Sequence, residues 1–134
     1  MSDNVRMLNW AIEHELRCSQ RYQRFLTVVG AECQATDTAL KELLGEILRG
    51  SDEIIELDST EVAIVMAETD RQGALMAIDR YHAHFNGAFD IRFGVATFPL
   101  DAGDHEALLG SARSRLLKAK KGKPGTVISE DESQ

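Results

Sequence analysis

Glu53-Ile54-Ile55-Glu56-Leu57-Asp58-Ser59-Thr60-Glu61-Val62-Ala63-Ile64-Val65-Met66-Ala67 decides the fold. Two apolar, β-branched runs, residues 53–57 and 62–67, flank four polar residues with turn chemistry, Asp58, Ser59, Thr60 and Glu61. Apolar runs separated by such residues predict a β-hairpin. Upstream, Leu40, Leu43, Leu44, Ile47 and Leu48 recur at helical spacing, predicting a helix through Arg49 that is capped by Asp37 or Thr38. Downstream, Thr69 or Asp70 opens a second helix that turns Ala74, Leu75, Ile78 and Tyr81 inward and ends at Asn86-Gly87.

Working outward again, Phe25-Leu26-Thr27-Val28-Val29-Gly30-Ala31 predicts a buried strand, and residues 89–98 predict another through Ile91, Phe93, Val95 and Thr97. The six central elements therefore run β-α-β-β-α-β. This is the ferredoxin-like arrangement of the α+β class, an antiparallel sheet with its helices on one face. A leading helix over residues 4–24, with Ser2 or Asp3 as its cap, carries Val5, Leu8, Ala11, Ile12 and Leu16 on one stripe. A turn at residues 101–104, a helix over 106–121 and a short strand over 126–129 follow the core. Residues 1–134 are expected to form one domain, with a frayed acidic tail over about 130–134.

The formal net charge of −7 disfavours general binding to nucleic acid or to an anionic membrane. An anionic ligand would need a local cationic pocket. No apolar run is long enough to span a bilayer, and Met1-Ser2-Asp3-Asn4 lacks the features of a signal peptide, so a cytoplasmic location is expected. Cys18 and Cys33 have neither metal-ligand spacing nor the density of a disulfide scaffold, and both are expected reduced. His82 and His84 are two apart on a helix and point to different sides, so no His or Cys metal site is expected.

Several stretches resemble the GGDEF family of diguanylate cyclase domains. Leu48-Arg49-Gly50-Ser51-Asp52 resembles the segment before the family's signature hairpin, and residues 61–70 resemble the strand after it. Phe93-Gly94-Val95-Ala96-Thr97-Phe98-Pro99 resembles its "S-x-G-V-A-x-x-P" strand, and residues 112–122 resemble its "AD-x-A-L-Y-x-A-K" helix. The resemblance runs from about Leu8 to Ile128 and implies the fold of a nucleotidyl cyclase-like domain.

The departures from that family carry the functional expectation. The signature Gly-Gly-Asp/Glu-Glu-Phe falls on Asp58, Ser59, Thr60, Glu61 and Val62. Side chains replace the two glycines that let the backbone approach GTP, and Thr60 replaces a metal-binding acid. Glu32 is the match for the other metal acid, and Lys120 matches a phosphate-binding lysine. The arginine that follows in the family is matched by Lys123 only across a gap. The segment after Glu32 is too short to supply the family's guanine and substrate contacts. The resemblance thus implies a domain that does not make cyclic di-GMP and needs no cofactor.

The family's inhibitory site is retained. Arg49 and Asp52 match its Arg-x-x-Asp, five residues before the signature, and Arg80 matches the additional arginine on the following helix. Guanidinium groups suit phosphates and guanine edges, and Asp52 could accept from guanine N–H groups. The resemblance therefore implies a cyclic di-GMP receptor that takes the ligand as an intercalated dimer and changes association with a protein partner or a second copy. Residue chemistry alone leaves other readings open. Arg49 and Asp52 could be a surface ion pair worth about 0–1 kcal/mol, and Arg49 could serve its own helix C-terminus. Lys118, Lys120, Lys121 and Lys123 could be a solvated helix end. Trp10 and Leu16 could mark a dimer seam or pack on the protein's own core. A ligand-free interaction module, and an enzyme using another nucleotide through Glu32, Glu61 and Lys120, are the alternative functions.

Overall fold

The computed structural model describes residues 3–33 and 39–130. The elements are α1 (Asp3–Tyr22), β1 (Leu26–Glu32), α2 (Leu40–Gly45), β2 (Asp52–Glu56), β3 (Glu61–Ala67), α3 (Arg71–Phe85), β4 (Arg92–Phe98), α4 (His105–Ala119) and β5 (Val127–Ile128). The sheet order is β2-β3-β1-β4-β5. Its first four strands are antiparallel, as the hairpin and the two crossover helices require, and β5 joins the edge parallel to β4. This is the expected α+β arrangement with its two additions.

Side chains alternate across the central strands to feed two cores. Val29, Ala31, Val62, Ile64, Met66, Phe93 and Val95 meet Leu40 and Leu44 of α2 and Ala74, Ile78 and Tyr81 of α3. Val28, Ala63, Val65 and Ala96 meet Leu8, Ile12 and Leu16 of α1 and Leu108 and Ala112 of α4. The two helices of the ferredoxin-like core thus share one face, and the added helices cover the other. Every residue of β1 is buried because the strand has neighbours on all sides. Leu16 packs on the protein's own core, whereas Trp10 lies on the opposite side of α1, 68% exposed and stacked on His14.

Caps fix the helix starts. Asp70 accepts from the Gly73 amide at 2.8 Å, and Asp104 accepts from the Ala107 amide at 2.8 Å. Asn86, in the left-handed region at φ 48°, ends α3, followed by Gly87 at φ 79°. The expected caps at Asp37 or Thr38 and at Ser2, and the tail beyond Glu130, lie outside the described residues.

The expected helix through Arg49 requires correction, because α2 ends at Gly45. The chain then tightens, with the Ile47 amide donating to the Leu44 carbonyl and the Asp52 amide to the Arg49 carbonyl, each at 3.0 Å. Gly45 and Gly50 weaken helical propagation on either side of this segment. Arg49 therefore sits in the turn leading into β2 and not on a helix end. Gly94 permits a close approach at the other face: a Cβ there would lie 2.2 Å from the Leu116 amide nitrogen and 2.3 Å from the Ala112 carbonyl oxygen. Only a glycine lets α4 rest directly on β4 here.

Candidate functional site

Two clusters of charged residues flank the 53–67 hairpin, one at its tip and one at its base. At the tip, Asp58 Oδ1 accepts from the Thr60 amide at 2.7 Å, the Thr60 hydroxyl at 2.9 Å and the Glu61 amide at 2.8 Å. Burial works to raise the Asp58 pKa, but these three donors and the charge of Lys120 outweigh it and hold the carboxyl below its ordinary value. An aspartate-centred turn thus occupies the place of a glycine turn. The tip is also tied down: the Ser59 carbonyl accepts from the Leu40 amide at 3.2 Å, and the Thr60 carbonyl from the Cys33 amide at 2.9 Å.

Glu32 and Glu61 are opposite one another across β1 and β3. Each carboxylate faces a cation from α4 or its cap. Lys120 Nζ is 3.0 Å from Glu32 Oε2, and Arg113 Nη2 is 3.7 Å from Glu61 Oε2. Burial raises the Glu61 pKa against the opposing charge of Arg113, and Asp58 and Glu32 add to the rise. Beside Lys120, a hollow of about 300 Å³ is lined by Glu32, Asp90, Arg92 and Lys120. Arg92 spends its donors within the fold. It bonds both Asp90 oxygens, the Ala119 carbonyl at 3.2 Å, the Lys120 carbonyl at 2.7 Å and the Gly122 carbonyl at 2.9 Å. Asp90 is held below the usual carboxylate range, first by the Arg92 hydrogen bonds. Lys123 is exposed. Among the described residues, no three His, Cys, Asp or Glu side chains are grouped to hold a metal ion.

At the base, Asp52 opens β2 and its carboxylate has no solvent exposure, while the Arg49 side chain is 49% exposed. Arg49 Nη2 donates to Asp52 Oδ1 at 3.2 Å and to the Thr69 hydroxyl at 2.8 Å, and Nε reaches Asp52 Oδ2 at 3.5 Å. The hydrogen bond to Asp52 and the Asp52 charge raise the Arg49 pKa. Thr69 donates in turn to the Ala67 carbonyl at 2.8 Å. Arg80 is exposed on α3, with its guanidinium carbon 5.6 Å from the Tyr81 ring centre. The Tyr81 phenol is pushed up to about 12, first by burial and then by the charge of Asp52, against the pull of Arg80 and Arg49. The charges of Asp52, Arg80 and Arg49 all bear on this one buried phenol.

Sequence reasoning missed Arg92, Arg113, Thr69 and Tyr81 as members of these clusters. For two of them a signal was present: Arg92 stands where the resembled strand motif has serine, and Arg113 where the helix motif has aspartate. In the sequence Thr69 reads only as a helix start and Tyr81 only as core.

No protein-family model matches the chain, and no curated protein matches it. Solved structures do. The GGDEF domain of YfiN, also called TpbB, from Pseudomonas aeruginosa superimposes with a TM-score of 0.83 over 95% of each chain at 21% identity. The active GGEEF domain of a diguanylate cyclase from Vibrio cholerae gives 0.82 over 96% of this chain and 97% of that one, at 14% identity. The GGDEF domain of DgcB from Caulobacter crescentus, solved in complex with c-di-GMP, gives 0.76 over 89% and 85%, at 10% identity. The fold is that of the GGDEF domains of diguanylate cyclases.

Proposed function

We propose that this chain is a non-catalytic signalling domain of GGDEF type that binds cyclic di-GMP through Arg49, Asp52 and Arg80. The observation that carries the reading is the pairing of a half-exposed Arg49 with an Asp52 side chain that has no solvent exposure, with Arg80 exposed on the neighbouring helix. A buried carboxylate aims the guanidinium while leaving much of its surface open to a ligand. Two arginines offset the repulsion that a net charge of −7 exerts on a dianionic ligand. A fold relative is bound to the same dinucleotide.

The tip of the hairpin supports the non-catalytic half of the reading. Phosphoryl transfer from GTP relies on hard anionic oxygens holding divalent metal ions against the phosphates. Here Glu32 and Glu61 face Lys120 and Arg113, and Thr60 spends its hydroxyl on Asp58. A bound dinucleotide would alter association with a protein partner or a second copy, at an interface whose affinity differs between the free and bound states.

The second reading, a ligand-free interaction module, is favoured by one feature. Met7 and Trp10 are 55% and 68% exposed on α1, and neither enters the protein's own core. Titration calorimetry with cyclic di-GMP on the native protein and on Arg49→Ala separates the two, with thermal unfolding to establish that the variant is folded. Binding at about micromolar Kd or tighter, weakened at least about tenfold by the substitution, supports the receptor. Absence of binding to the folded native protein refutes it and leaves the interaction module.

A further inference from the structure

Thr69 is buried and fixed from several sides. Its carbonyl accepts from the Thr27 hydroxyl at 2.7 Å, and that hydroxyl lies 2.9 Å from the Thr97 hydroxyl inside the core. Its chain neighbours are held too, with Glu68 in the left-handed region at φ 53° and Asp70 capping α3. A threonine hydroxyl has one proton to give, and the Ala67 carbonyl takes it at 2.8 Å. What remains on the oxygen is acceptor capacity, and Arg49 Nη2 uses it from 2.8 Å away.

Arg49 is the opposite case. It stands in a turn, half of its side chain meets solvent, and its bonds to Asp52 are long, at 3.2 Å and 3.5 Å. Charge-assisted bonds of this kind usually close to about 2.7–2.9 Å. The neutral hydroxyl of Thr69 therefore holds the guanidinium more closely than the carboxylate does. Among the described residues, Arg49 Nη1 has no hydrogen-bond partner. A long side chain ordered only when its ligand arrives loses affinity to the rotamer freedom it gives up, and a prior anchor spares that loss.

We infer that Thr69 is the anchor of Arg49, keeping Nη2 in place while the rest of the guanidinium passes between Asp52 and an anionic ligand. Being buried, Thr69 is a positioning residue that acts through Arg49. The inference rests on the receptor reading for its purpose and deepens it by naming a group that sets the affinity of the site. The anchoring itself is a property of the free protein and can be measured without ligand.

The test compares Thr69→Val, which keeps the shape and loses the hydroxyl, with Thr69→Ser, which keeps the hydroxyl. Calorimetry against cyclic di-GMP should show binding weakened about tenfold in Thr69→Val and by less than about threefold in Thr69→Ser. A double-mutant cycle of Thr69→Val with Arg49→Ala, read by thermal unfolding without ligand, measures the anchor directly. In the native background Thr69→Val removes the bonds to both Ala67 and Arg49, and in the Arg49→Ala background only the bond to Ala67. Its Tm loss should therefore be larger in the native background, by about 4 °C. A hydroxyl that served the turn alone would lower Tm equally in both backgrounds and leave affinity unchanged. Additive Tm shifts overturn the proposal. Unaltered affinity in folded Thr69→Val overturns it too, as does equal weakening in Thr69→Ser. If native protein binds no dinucleotide, the receptor reading fails, and the cycle still decides by itself whether Thr69 anchors Arg49.

Discussion

Replacing Lys120 with methionine tests whether α4 supplies a cation where a nucleotidyl cyclase would need a metal ion. Methionine keeps much of the apolar stem, so the change falls mainly on the ammonium, 3.0 Å from the Glu32 carboxylate. The Glu32 side chain is 9% exposed and that of Lys120 is 35% exposed. Exposed ion pairs are worth about 0.2–1 kcal/mol, whereas removing one partner of a buried pair costs about 3–5 kcal/mol. This pair lies between, so Lys120→Met should cost about 2 kcal/mol, or about 8 °C in Tm for a domain of this size. Glu61 lies opposite Glu32 in the ladder, and its raised pKa already includes the Glu32 charge, so the loss is felt by both carboxylates. Adding Glu32→Gln removes the charge that Lys120 opposes, and the double variant should recover most of the loss. Urea unfolding of the four proteins, with m-values compared, measures the coupling. If the double variant is no more stable than Lys120→Met alone, the lysine contributes by packing, and the idea of an internal cation replacing a metal is wrong.

Gly94→Ala would place a methyl group against the backbone of α4, 2.2 Å from the Leu116 amide nitrogen, and should cost about 3 kcal/mol or more. Gly30→Ala meets the flexible end of Leu116 at 3.4 Å and the Ala112 carbonyl oxygen and Leu116 Cβ at 3.7 Å, ordinary contact distances, and should stay within about 1 kcal/mol, so unfolding of the pair tests the close helix–strand contact. Asp101 is held below its ordinary value: burial raises it, but hydrogen bonds from Arg115 and the Thr97 amide and the charges of Arg115 and Arg71 prevail. A depressed folded-state pKa gives stability that is present above the unfolded value of about 3.9 and is lost as pH falls through the folded value. Asp101→Asn should therefore cost about 3 kcal/mol at pH 7 and progressively less below about pH 4 in a pH series of melting curves. Incubation with GTP and Mg²⁺ or Mn²⁺ should give no turnover by chromatography. Steady turnover lost in Glu61→Gln would instead favour the enzymatic alternative.

The parts of the fold legible in the sequence were those governed by local chemistry. The turn residues Asp58 to Glu61 read as a hairpin because an aspartate can accept from the backbone ahead of it, and that is what Asp58 does. Thr69 or Asp70 marked a helix start by the same logic, with Asp70 the cap, and Asn86-Gly87 marked an end, whereas Asp104, which caps α4, was hidden within the expected turn over 101–104. The apolar spacing of Leu40, Leu43, Leu44, Ile47 and Leu48 misled, because the last two pack against the core from a turn and mimic the next helical face. Nothing local betrays that Arg113 meets Glu61 or that Arg92 binds carbonyls beyond α4, since those partners are brought together by tertiary packing. For the proposed site, the spacing of Arg49 and Asp52 was readable. The burial of the Asp52 side chain and the unpartnered hydroxyl of Tyr81 were not, because burial depends on what α2 and α3 lay over the sheet.

The two charged clusters differ in a way that bears on how such a domain could signal. At the hairpin tip, Glu32, Glu61 and Asp58 each have donors or cations supplied by the chain itself, and the Ser59 and Thr60 carbonyls are bonded to the backbone nearby. A ligand entering there would have to displace contacts that the fold already makes. At the base, Arg49 is divided between Asp52 and Thr69 with loose bonds to the former, and half of its side chain meets solvent. A ligand can therefore compete for Arg49 without unmaking the turn that carries it. Asp52 begins β2, which forms an edge of the sheet, so a change of partner at its carboxylate acts where the sheet meets its surroundings. Binding can alter association only if the free and bound arrangements differ in their affinity for the partner. Transfer of Arg49 from Asp52 to a ligand would give the proposed receptor two discrete arrangements at that edge, the requirement that a rigid ion pair could not meet.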